Sequence, residues 1–161
     1  MNWLGHIIQE YVGDKDSVLD LGCGIMGTSD DLKCKSILGC DLFPAYLDKI
    51  KTLWPTIRLG MDELDRFMDK SYDVVICLDV VEHLDKDLAL KVLDECKRIC
   101  RIRSIIYTPM EFDENNQPEG GAWGMGENPY QLHRCVLNKN DFRSRGYLVR
   151  ICNDAMIGVY G

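Results

Sequence analysis

The chain has 161 residues, of which 46% are hydrophobic and 28% are charged, and this composition fits one domain over residues 1–161 with a core large enough to fold alone. Its formal net charge of -7 disfavours a nucleic-acid partner, because binding to phosphate backbones depends on clustered Lys and Arg. The sequence has no apolar run long enough for a membrane span and no signal-peptide pattern. We therefore expect a cytoplasmic protein with no membrane association.

The eight cysteines are scattered along the chain without a Cys-x-x-Cys pair. This distribution argues against a zinc or redox motif. Several cysteines lie within apolar runs, as Cys77 does, where a thiol behaves as a small buried hydrophobic group. We expect reduced cysteines with structural roles.

In chain order, the spacing of the first apolar residues predicts a helix over 2–12 that ends near Gly13. Five short apolar runs then predict buried strands. Helical patterns lie between these runs, and the last of them has Asp85 as its predicted N-cap. The predicted strands are 17–21, 36–40, 56–59, 73–78 and 102–107, and the predicted helices between them are 28–34, 44–53, 62–69 and 86–100.

This alternation indicates an α/β fold with a parallel sheet, right-handed crossovers and helices on both faces. A long loop over 108–132 follows, and then a short helix at 138–145. The last two strands, 146–152 and 155–160, are joined by Asn153 and Asp154, so they can pair only as an antiparallel hairpin. The predicted fold is a doubly wound, mostly parallel seven-stranded sheet with a reversed C-terminal hairpin strand.

The first predicted strand leads into a glycine-rich turn that carries the clearest functional pattern, Val18-Leu19-Asp20-Leu21-Gly22-Cys23-Gly24. Such a turn lets the backbone approach a ligand more closely than side chains would allow. The next strand leads to Asp41, about 20 positions further on, where a carboxylate can take both hydroxyls of a ribose. The sequence therefore predicts a ligand derived from a nucleoside.

A nicotinamide dinucleotide and S-adenosylmethionine both fit this pattern, and Asp20 distinguishes between them. A carboxylate that faces a pyrophosphate is repelled in a site of low dielectric constant, whereas the ammonium group of a methionine attracts it. The chain also offers no second domain to carry a hydride acceptor. We therefore expect S-adenosylmethionine as the cofactor, and an NAD(P)-dependent dehydrogenase is the less favoured alternative.

The sequence resembles the class I S-adenosylmethionine-dependent methyltransferases over nearly its whole length. Residues 18–24 look like the first motif of that family, residues 72–84 like its fourth strand and following turn, and Thr108-Pro109 like the end of its fifth strand. The resemblance implies a Rossmann-like methyltransferase fold and methyl transfer to an O or N nucleophile of an unidentified substrate. Met26 stands where the commonest form of the motif has a third glycine, so we expect a shifted start of the following helix.

By the same resemblance, Gly22 and Gly24 would pass under the methionine part of the cofactor. Asp20 would serve its amino group, and Asp41 would hold the ribose. Asp62 matches the carboxylate that takes the adenine amino group in the family. The predicted cofactor-binding set is completed by Cys23, Leu42, Met61 and Asp79.

The turn after the fourth strand and the end of the long loop supply the predicted catalytic residues Glu82, His83 and His133. The turn would face the sulfonium, and His133 could be a general base because an imidazole titrates near neutral pH. Together with Asp79, the cluster is similar to metal-binding patterns in ubiquinone-pathway O-methyltransferases and small-RNA 2′-O-methyltransferases, which have Glu in place of Asp79. Many family members carry Glu-His here without a metal, so no metal site is predicted, and a divalent ion remains an alternative.

We expect the long loop to cover the methyl-transfer site as a lid, with Trp123 and Tyr130 as candidates for the pocket wall. The expected substrate is a small molecule or a carrier-bound group. A catalytically silent S-adenosylmethionine-binding module or partner subunit is the main alternative, because only one helix precedes the first strand. The sequence leaves open whether the domain forms a homodimer.

Overall fold

The protein is described by a computed structural model that covers residues 1–112 and 121–161. Seven strands form one sheet in the order β3-β2-β1-β4-β5-β7-β6. The strands are β1 (Ser17–Leu21), β2 (Ser36–Asp41), β3 (Thr56–Arg58), β4 (Tyr72–Leu78), β5 (Cys100–Pro109), β6 (Leu148–Cys152) and β7 (Ala155–Tyr160). The described helices are α1 (Trp3–Gln9), α2 (Pro44–Leu47), α3 (Lys86–Ile99) and α4 (Lys139–Arg143).

Strands β1 to β5 run parallel to one another, and β7 runs in the opposite direction. β6 and β7 pair antiparallel around the two-residue turn at Asn153 and Asp154, and β7 pairs antiparallel with β5. The predicted fold class is therefore confirmed. From β1 the chain adds β2 and β3 on one side of the sheet, and it then adds β4 and β5 on the other side. Sheets of this kind bind ligands in the crevice beyond the carboxyl ends of the strands where the order switches, here β1 and β4.

Local sequence explains where the helices begin. The side chain of Asn2 caps α1 by accepting a hydrogen bond from the Gly5 amide at 2.8 Å. Asn138 and Asp141 form a reciprocal capping box at the start of α4. α3 begins after the predicted cap Asp85, although that side chain makes no capping hydrogen bond.

The sheet has an apolar core on each face, because alternate residues of a strand point to opposite sides. Leu19 and Leu21 of β1 pack with α3 and α4, whereas Val18 packs with α1. The core beside α3 contains a buried polar link at Tyr147. Its hydroxyl donates to the Leu93 carbonyl and accepts from the Ser104 hydroxyl, each at 2.8 Å.

The predicted helix at 28–34 is wrong, because turns connect β1 to β2. Side chains in this segment form hydrogen bonds with residues that are distant in sequence, and these contacts compete with helix formation. The Ser29 hydroxyl donates to the Asp20 carboxylate, and the Asp30 carboxylate accepts from the Thr52 hydroxyl. Ser and Asp disfavour helix interiors for this reason.

Two other predicted helices are much shorter in the structure. The helix expected at 44–53 ends at Leu47, and Trp54 precedes Pro55, a position that disfavours helical backbone. The helix expected at 62–69 is a single 3₁₀ turn, Leu64–Arg66, in which only Leu64 is buried. Helices in proteins are stabilised mainly by packing of an apolar face, and one buried residue supplies too little packing for a longer helix.

The loop after β5 begins later than predicted, because Thr108 and Pro109 still pair with β7. Of the predicted loop at 108–132, residues 113–120 lie outside the described part. All eight cysteines lie within the described part and are free. Over residues 1–112 and 121–161, no helix has the length and apolar character that a bilayer crossing requires.

Candidate functional site

A cleft of about 800 Å³ opens beyond the carboxyl ends of β1, β2 and β4. Eleven of the twelve predicted site residues line it, namely Asp20, Gly22, Cys23, Gly24, Asp41, Leu42, Met61, Asp79, Glu82, His83 and His133. Asp62, the residue predicted to meet the adenine amino group, is exposed and is not among the lining residues. The fold therefore brings eleven of the predicted residues together in one cleft and leaves Asp62 outside its lining.

The glycine-rich turn is fixed to the end of β2 by three consecutive backbone amides. The amides of Gly22 and Cys23 both donate to the Cys40 carbonyl, at 2.8 and 2.9 Å. The Gly24 amide donates to a carboxylate oxygen of Asp41 at 2.8 Å. These amides are already used within the protein, so they do not form the free anion nest that a pyrophosphate needs.

Glycine is required at position 22 for two reasons. Its φ of 71° lies in the left-handed region, and a Cβ there would approach Val80 Cγ2 to 2.3 Å. Val80 follows β4, so this glycine allows the β1 turn and the β4 turn to lie against each other. Sequence reasoning missed Val80, because nothing in a single chain indicates which residue packs under the turn.

Met26 takes the left-handed conformation, with φ of 59°, where the related motif has glycine. Its side chain is buried among apolar residues, which offsets the strain of this backbone conformation. No helix follows within residues 22–35, so the expected shift of a helix start is replaced by the loss of that helix.

Asp20 is a buried carboxyl group at the base of the cleft. Its pKa is raised to about 7, mainly by burial and also by the nearby Asp41 carboxylate, and the hydrogen bond from Ser29 opposes this rise. A cationic group that arrives in the cleft would therefore favour the charged form of Asp20. Sequence reasoning missed Ser29, which holds this carboxylate from within the turn segment.

Asp41 is half-buried and organises the end of β2. One carboxylate oxygen accepts from the Gly24 amide and the other from the Phe43 amide, both at 2.8 Å. Burial raises the pKa of Asp41, while these hydrogen bonds lower it. Each carboxylate oxygen has a second lone pair, so the group can still accept hydrogen bonds from a ligand in the cleft.

Glu82, His83 and His133, which we call the acceptor wall, also line the cleft. Glu82 and His83 lie on a 3₁₀ turn, Val81–His83, directly after β4. The backbone amides of Arg134 and Cys135 donate to the Glu82 carbonyl at 2.7 and 3.2 Å. This backbone pairing brings His133 beside the turn, although about 50 residues separate the two segments in sequence.

The carboxyl group of Glu82 is only 2% exposed. The pKa of Glu82 is raised to about 8, mainly by burial and also by the Asp79 carboxylate, and the hydrogen bond from Thr108 opposes this rise. The Thr108 hydroxyl donates to Glu82 at 2.8 Å. Thr108, at the end of β5, thus contacts a predicted site residue, which the resemblance alone did not indicate.

The two imidazole rings of the acceptor wall face each other, with centroids 4.9 Å apart and an angle of 56° between the rings. The pKa of His83 is lowered to about 4, mainly by burial and also by His133, and hydrogen bonds to backbone groups oppose this effect. The Nδ1 atoms of both rings are buried without a hydrogen-bond partner. The two rings therefore lie against each other within the lining of the cleft.

Comparison with known proteins agrees with this geometry. A family model described as "Methyltransferase domain" matches residues 19–108, which include β1, the glycine-rich turn and the Glu82-His83 turn. The chain belongs to this methyltransferase family. The predictions of the family, of methyl transfer and of S-adenosylmethionine as the cofactor are thereby confirmed.

Solved structures show the same fold at low sequence identity. The methyltransferase domain is similar to a Pyrococcus horikoshii protein, with 18% identity, a TM-score of 0.72, and coverage of 98% of this chain and 87% of that one. An S-adenosylmethionine-dependent methyltransferase of Archaeoglobus fulgidus gives 17% identity, a TM-score of 0.64, and coverage of 91% and 69%. No curated protein sequence matches the chain.

A third similar structure is a complex between a methyltransferase activator of Haloferax volcanii and a methyltransferase. The match has 16% identity and a TM-score of 0.65, and it covers 98% of this chain and 88% of that one. At this identity the likeness concerns the fold alone.

Part of the loop after β5 lies over the glycine-rich turn of the methyltransferase domain. Trp123 has φ of 54° and packs edge-to-face on Tyr46, with ring centroids 4.9 Å apart. A Cβ at Gly24 would lie 3.2 Å from the Trp123 ring. Trp123, Tyr130 and His133 all line the cleft, so the described end of the predicted lid does reach the site.

Proposed function

We propose that this methyltransferase transfers the methyl group of S-adenosylmethionine to an O or N nucleophile on a small-molecule or carrier-bound acceptor in the cytoplasm. The observation that carries the proposal is that two groups of residues line one cleft. The first group is the glycine-rich turn with Asp20 and Asp41, and the second is the acceptor wall. A net charge of -7 argues against a nucleic-acid acceptor.

The proposed pose of the cofactor follows from the chemistry of the first group. Its methionine part lies over Gly22 and Gly24, where the backbone permits close approach. Its ammonium group interacts with Asp20, and its ribose hydroxyls donate to Asp41. The methyl group then points away from the turn and toward the acceptor wall.

The transfer needs mainly positioning, because the sulfonium already carries its leaving group. The acceptor atom forms a bond to the methyl carbon, and the carbon–sulfur bond breaks with its electron pair remaining on sulfur. A protonated acceptor must also lose a proton. We assign His133 as the base, because the raised pKa keeps Glu82 protonated near pH 7 and the lowered pKa makes His83 a weak base.

Calorimetry with S-adenosylhomocysteine, with NAD and NADP as matched controls, tests the cofactor part of the proposal. We expect S-adenosylhomocysteine to bind and the dinucleotides not to bind, because the amides of the turn are used by β2. Binding of NAD in place of S-adenosylhomocysteine would overturn the proposal. Turnover is then measured as S-adenosylhomocysteine release with panels of hydroxyl and amine acceptors, where His133→Ala should lower kcat more than cofactor affinity.

A second candidate function is a subunit that methylates only with a partner, or that binds the cofactor without catalysis. It is favoured by the similar structure that contains a methyltransferase activator. Release of S-adenosylhomocysteine by the purified chain alone would argue against it. Cofactor binding without turnover over the whole acceptor panel would favour it, and size-exclusion chromatography of the same sample would detect a homodimer.

A further inference from the structure

Residues 128–134, which we call the acceptor segment, are fixed to the protein at both ends and include His133, the proposed base. At the start of the segment, the buried side chain of Asn128 accepts a hydrogen bond from the Tyr130 amide at 2.9 Å. At its end, the Arg134 amide donates to the Glu82 carbonyl at 2.7 Å. The backbone of the acceptor segment is therefore positioned by the fold before an acceptor arrives.

Arg134 is the only arginine or lysine among the described residues that line the cleft. Its Nη1 atom lies 3.8 Å from Asp85 Oδ1, and both side chains of this pair are at least half exposed. A long ion pair in contact with water contributes little to stability. By contrast, Arg98 Nη2 lies 2.6 Å from a Glu95 oxygen. The donors of the Arg134 guanidinium are therefore free to bind a ligand in the cleft, and a carboxylate can accept two of them at once.

Large apolar side chains of the same segment are exposed beside the cleft. Tyr130 is 45% exposed and lines the cleft, and Leu132, which is 49% exposed, lies between two lining residues in sequence. The exposed side chains of Trp3 and Met110 each follow a lining residue directly. Exposed apolar groups gathered around a cleft mark a surface that a ligand or partner covers. Since the acceptor must enter this cleft, it is the molecule that meets these side chains.

The charge of the cofactor-loaded cleft favours an anion near Arg134. Glu82, whose backbone carbonyl pairs with the Arg134 amide, has a buried side chain, and its raised pKa keeps this carboxyl group largely protonated near pH 7. In the proposed pose, Asp20 is paired with the ammonium group of the cofactor. S-adenosylmethionine also brings a sulfonium, so its two positive groups exceed its single carboxylate. An acceptor that carries a negative charge is therefore attracted to the loaded cleft.

We infer that the methyl acceptor is an amphiphilic small molecule, with a carboxylate that pairs with Arg134 and an apolar body that packs on Tyr130 and Leu132. This inference names the acceptor class of the proposed function and rests on that function. Arg134 and the two apolar side chains position the acceptor, and the neighbouring His133 meets its nucleophile. One short segment of the chain then both selects the acceptor and removes its proton.

The test uses analogues of S-adenosylhomocysteine in which a nitrogen atom replaces sulfur and carries an arm toward the acceptor wall. The arm is a methyl group, an alkyl chain that ends in a carboxamide, or the same chain that ends in a carboxylate. Calorimetry on the full chain measures their binding. We expect the carboxylate arm to bind about 10-fold more tightly than the carboxamide arm, because hydrogen bonds to charged groups are stronger than neutral ones. This difference should shrink in added NaCl.

The carboxamide arm should in turn bind more tightly than the methyl arm, because its chain covers apolar side chains. Arg134→Gln should remove the advantage of the carboxylate, and Leu132→Ala should reduce the advantage of the chain. The matched controls are Arg143→Gln on α4 and Leu148→Ala on β6, since both residues are exposed and neither lines the cleft. Both control variants should bind all the analogues like the unaltered chain.

A carboxylate arm that binds no better than the carboxamide arm, or an equal loss in Arg143→Gln, would overturn the inference. Equal affinity for all the analogues would also overturn it, and the exposed apolar side chains would then belong to a protein partner.

Binding of S-adenosylhomocysteine itself separates this inference from the proposed function. If S-adenosylhomocysteine binds and the arms make no difference, the acceptor class is wrong and the methyltransferase function stands. If neither S-adenosylhomocysteine nor any analogue binds, the proposed function fails. Unchanged S-adenosylhomocysteine binding by Arg134→Gln shows that this variant is folded, whereas weaker binding would assign Arg134 to the cofactor carboxylate and overturn the inference.

Discussion

Replacement of Asp41 by Asn should weaken cofactor binding without unfolding the protein. In the structure each carboxylate oxygen of Asp41 accepts one backbone amide, from Gly24 or Phe43, and keeps a lone pair for the ribose. Asn retains one acceptor oxygen of similar shape, so the variant keeps one of these amides and loses the other. We expect a loss of about 1 kcal/mol in the free energy of unfolding, the usual contribution of one hydrogen bond.

The effect on ligand binding should be larger, because the lost interaction joins a charged acceptor to a ribose hydroxyl. Hydrogen bonds to charged groups contribute about 1.5–3 kcal/mol, which corresponds to a rise in Kd of about 10- to 150-fold. Calorimetry with S-adenosylhomocysteine measures this, and urea denaturation measures stability. Asp62→Asn is the matched control, since Asp62 is exposed and outside the cleft. An unchanged Kd for Asp41→Asn, or an equal loss for Asp62→Asn, would refute the assignment.

Further outcomes follow from other parts of the cleft. The pKa of Asp20 is raised to about 7 in the folded state, mainly by burial, so the folded state binds this proton more tightly than the unfolded state. The free energy of unfolding should therefore fall as the pH rises from about 4 through 7. Asp41 and the thiols of Cys23, Cys40 and Cys77 also face this carboxyl group. Asp20→Asn should flatten the slope in urea denaturation, and an identical slope would contradict this reasoning. Gly22→Ala should lower stability by about 1–3 kcal/mol more than Gly126→Ala, because both positions have positive φ but only the first meets a neighbour, Val80. Since Trp123 lies over Gly24, S-adenosylhomocysteine should alter the intrinsic fluorescence, and Trp123→Phe should abolish that change while Trp54→Phe should not.

The sequence predicts the sheet well, because burial on both faces leaves a clear pattern. The runs that became β1, β2 and β4 are short, apolar and followed by glycine or acidic residues, and their strands lie within one residue of the predicted bounds. The hairpin was predictable because only two residues join its strands. These features depend on neighbours in sequence, so one chain contains enough information to predict them.

The helices beside the cleft were predicted less well, because whether these segments form helices depends on contacts with residues distant in sequence. Thr28, Ser29 and Asp30 look compatible with a short helix, yet Ser29 binds Asp20 and Asp30 binds Thr52. Asp62 lies outside the cleft lining for a related reason: the 3₁₀ turn at Leu64–Arg66 buries Leu64 and leaves Asp62 exposed. The convergence of His133 with Glu82 also depends on backbone pairing that a linear pattern does not reveal.

The hydrogen bonds that join Gly22, Cys23 and Gly24 to the end of β2 affect how the protein discriminates between S-adenosylmethionine and its product, S-adenosylhomocysteine. The turn is already shaped before a ligand arrives, so little conformational entropy is lost there on binding. In the proposed pose the turn faces the nucleoside and amino-acid parts, which S-adenosylmethionine and S-adenosylhomocysteine share. We therefore expect the turn to hold both molecules almost equally, so that only the residues that meet the methyl group can favour one over the other.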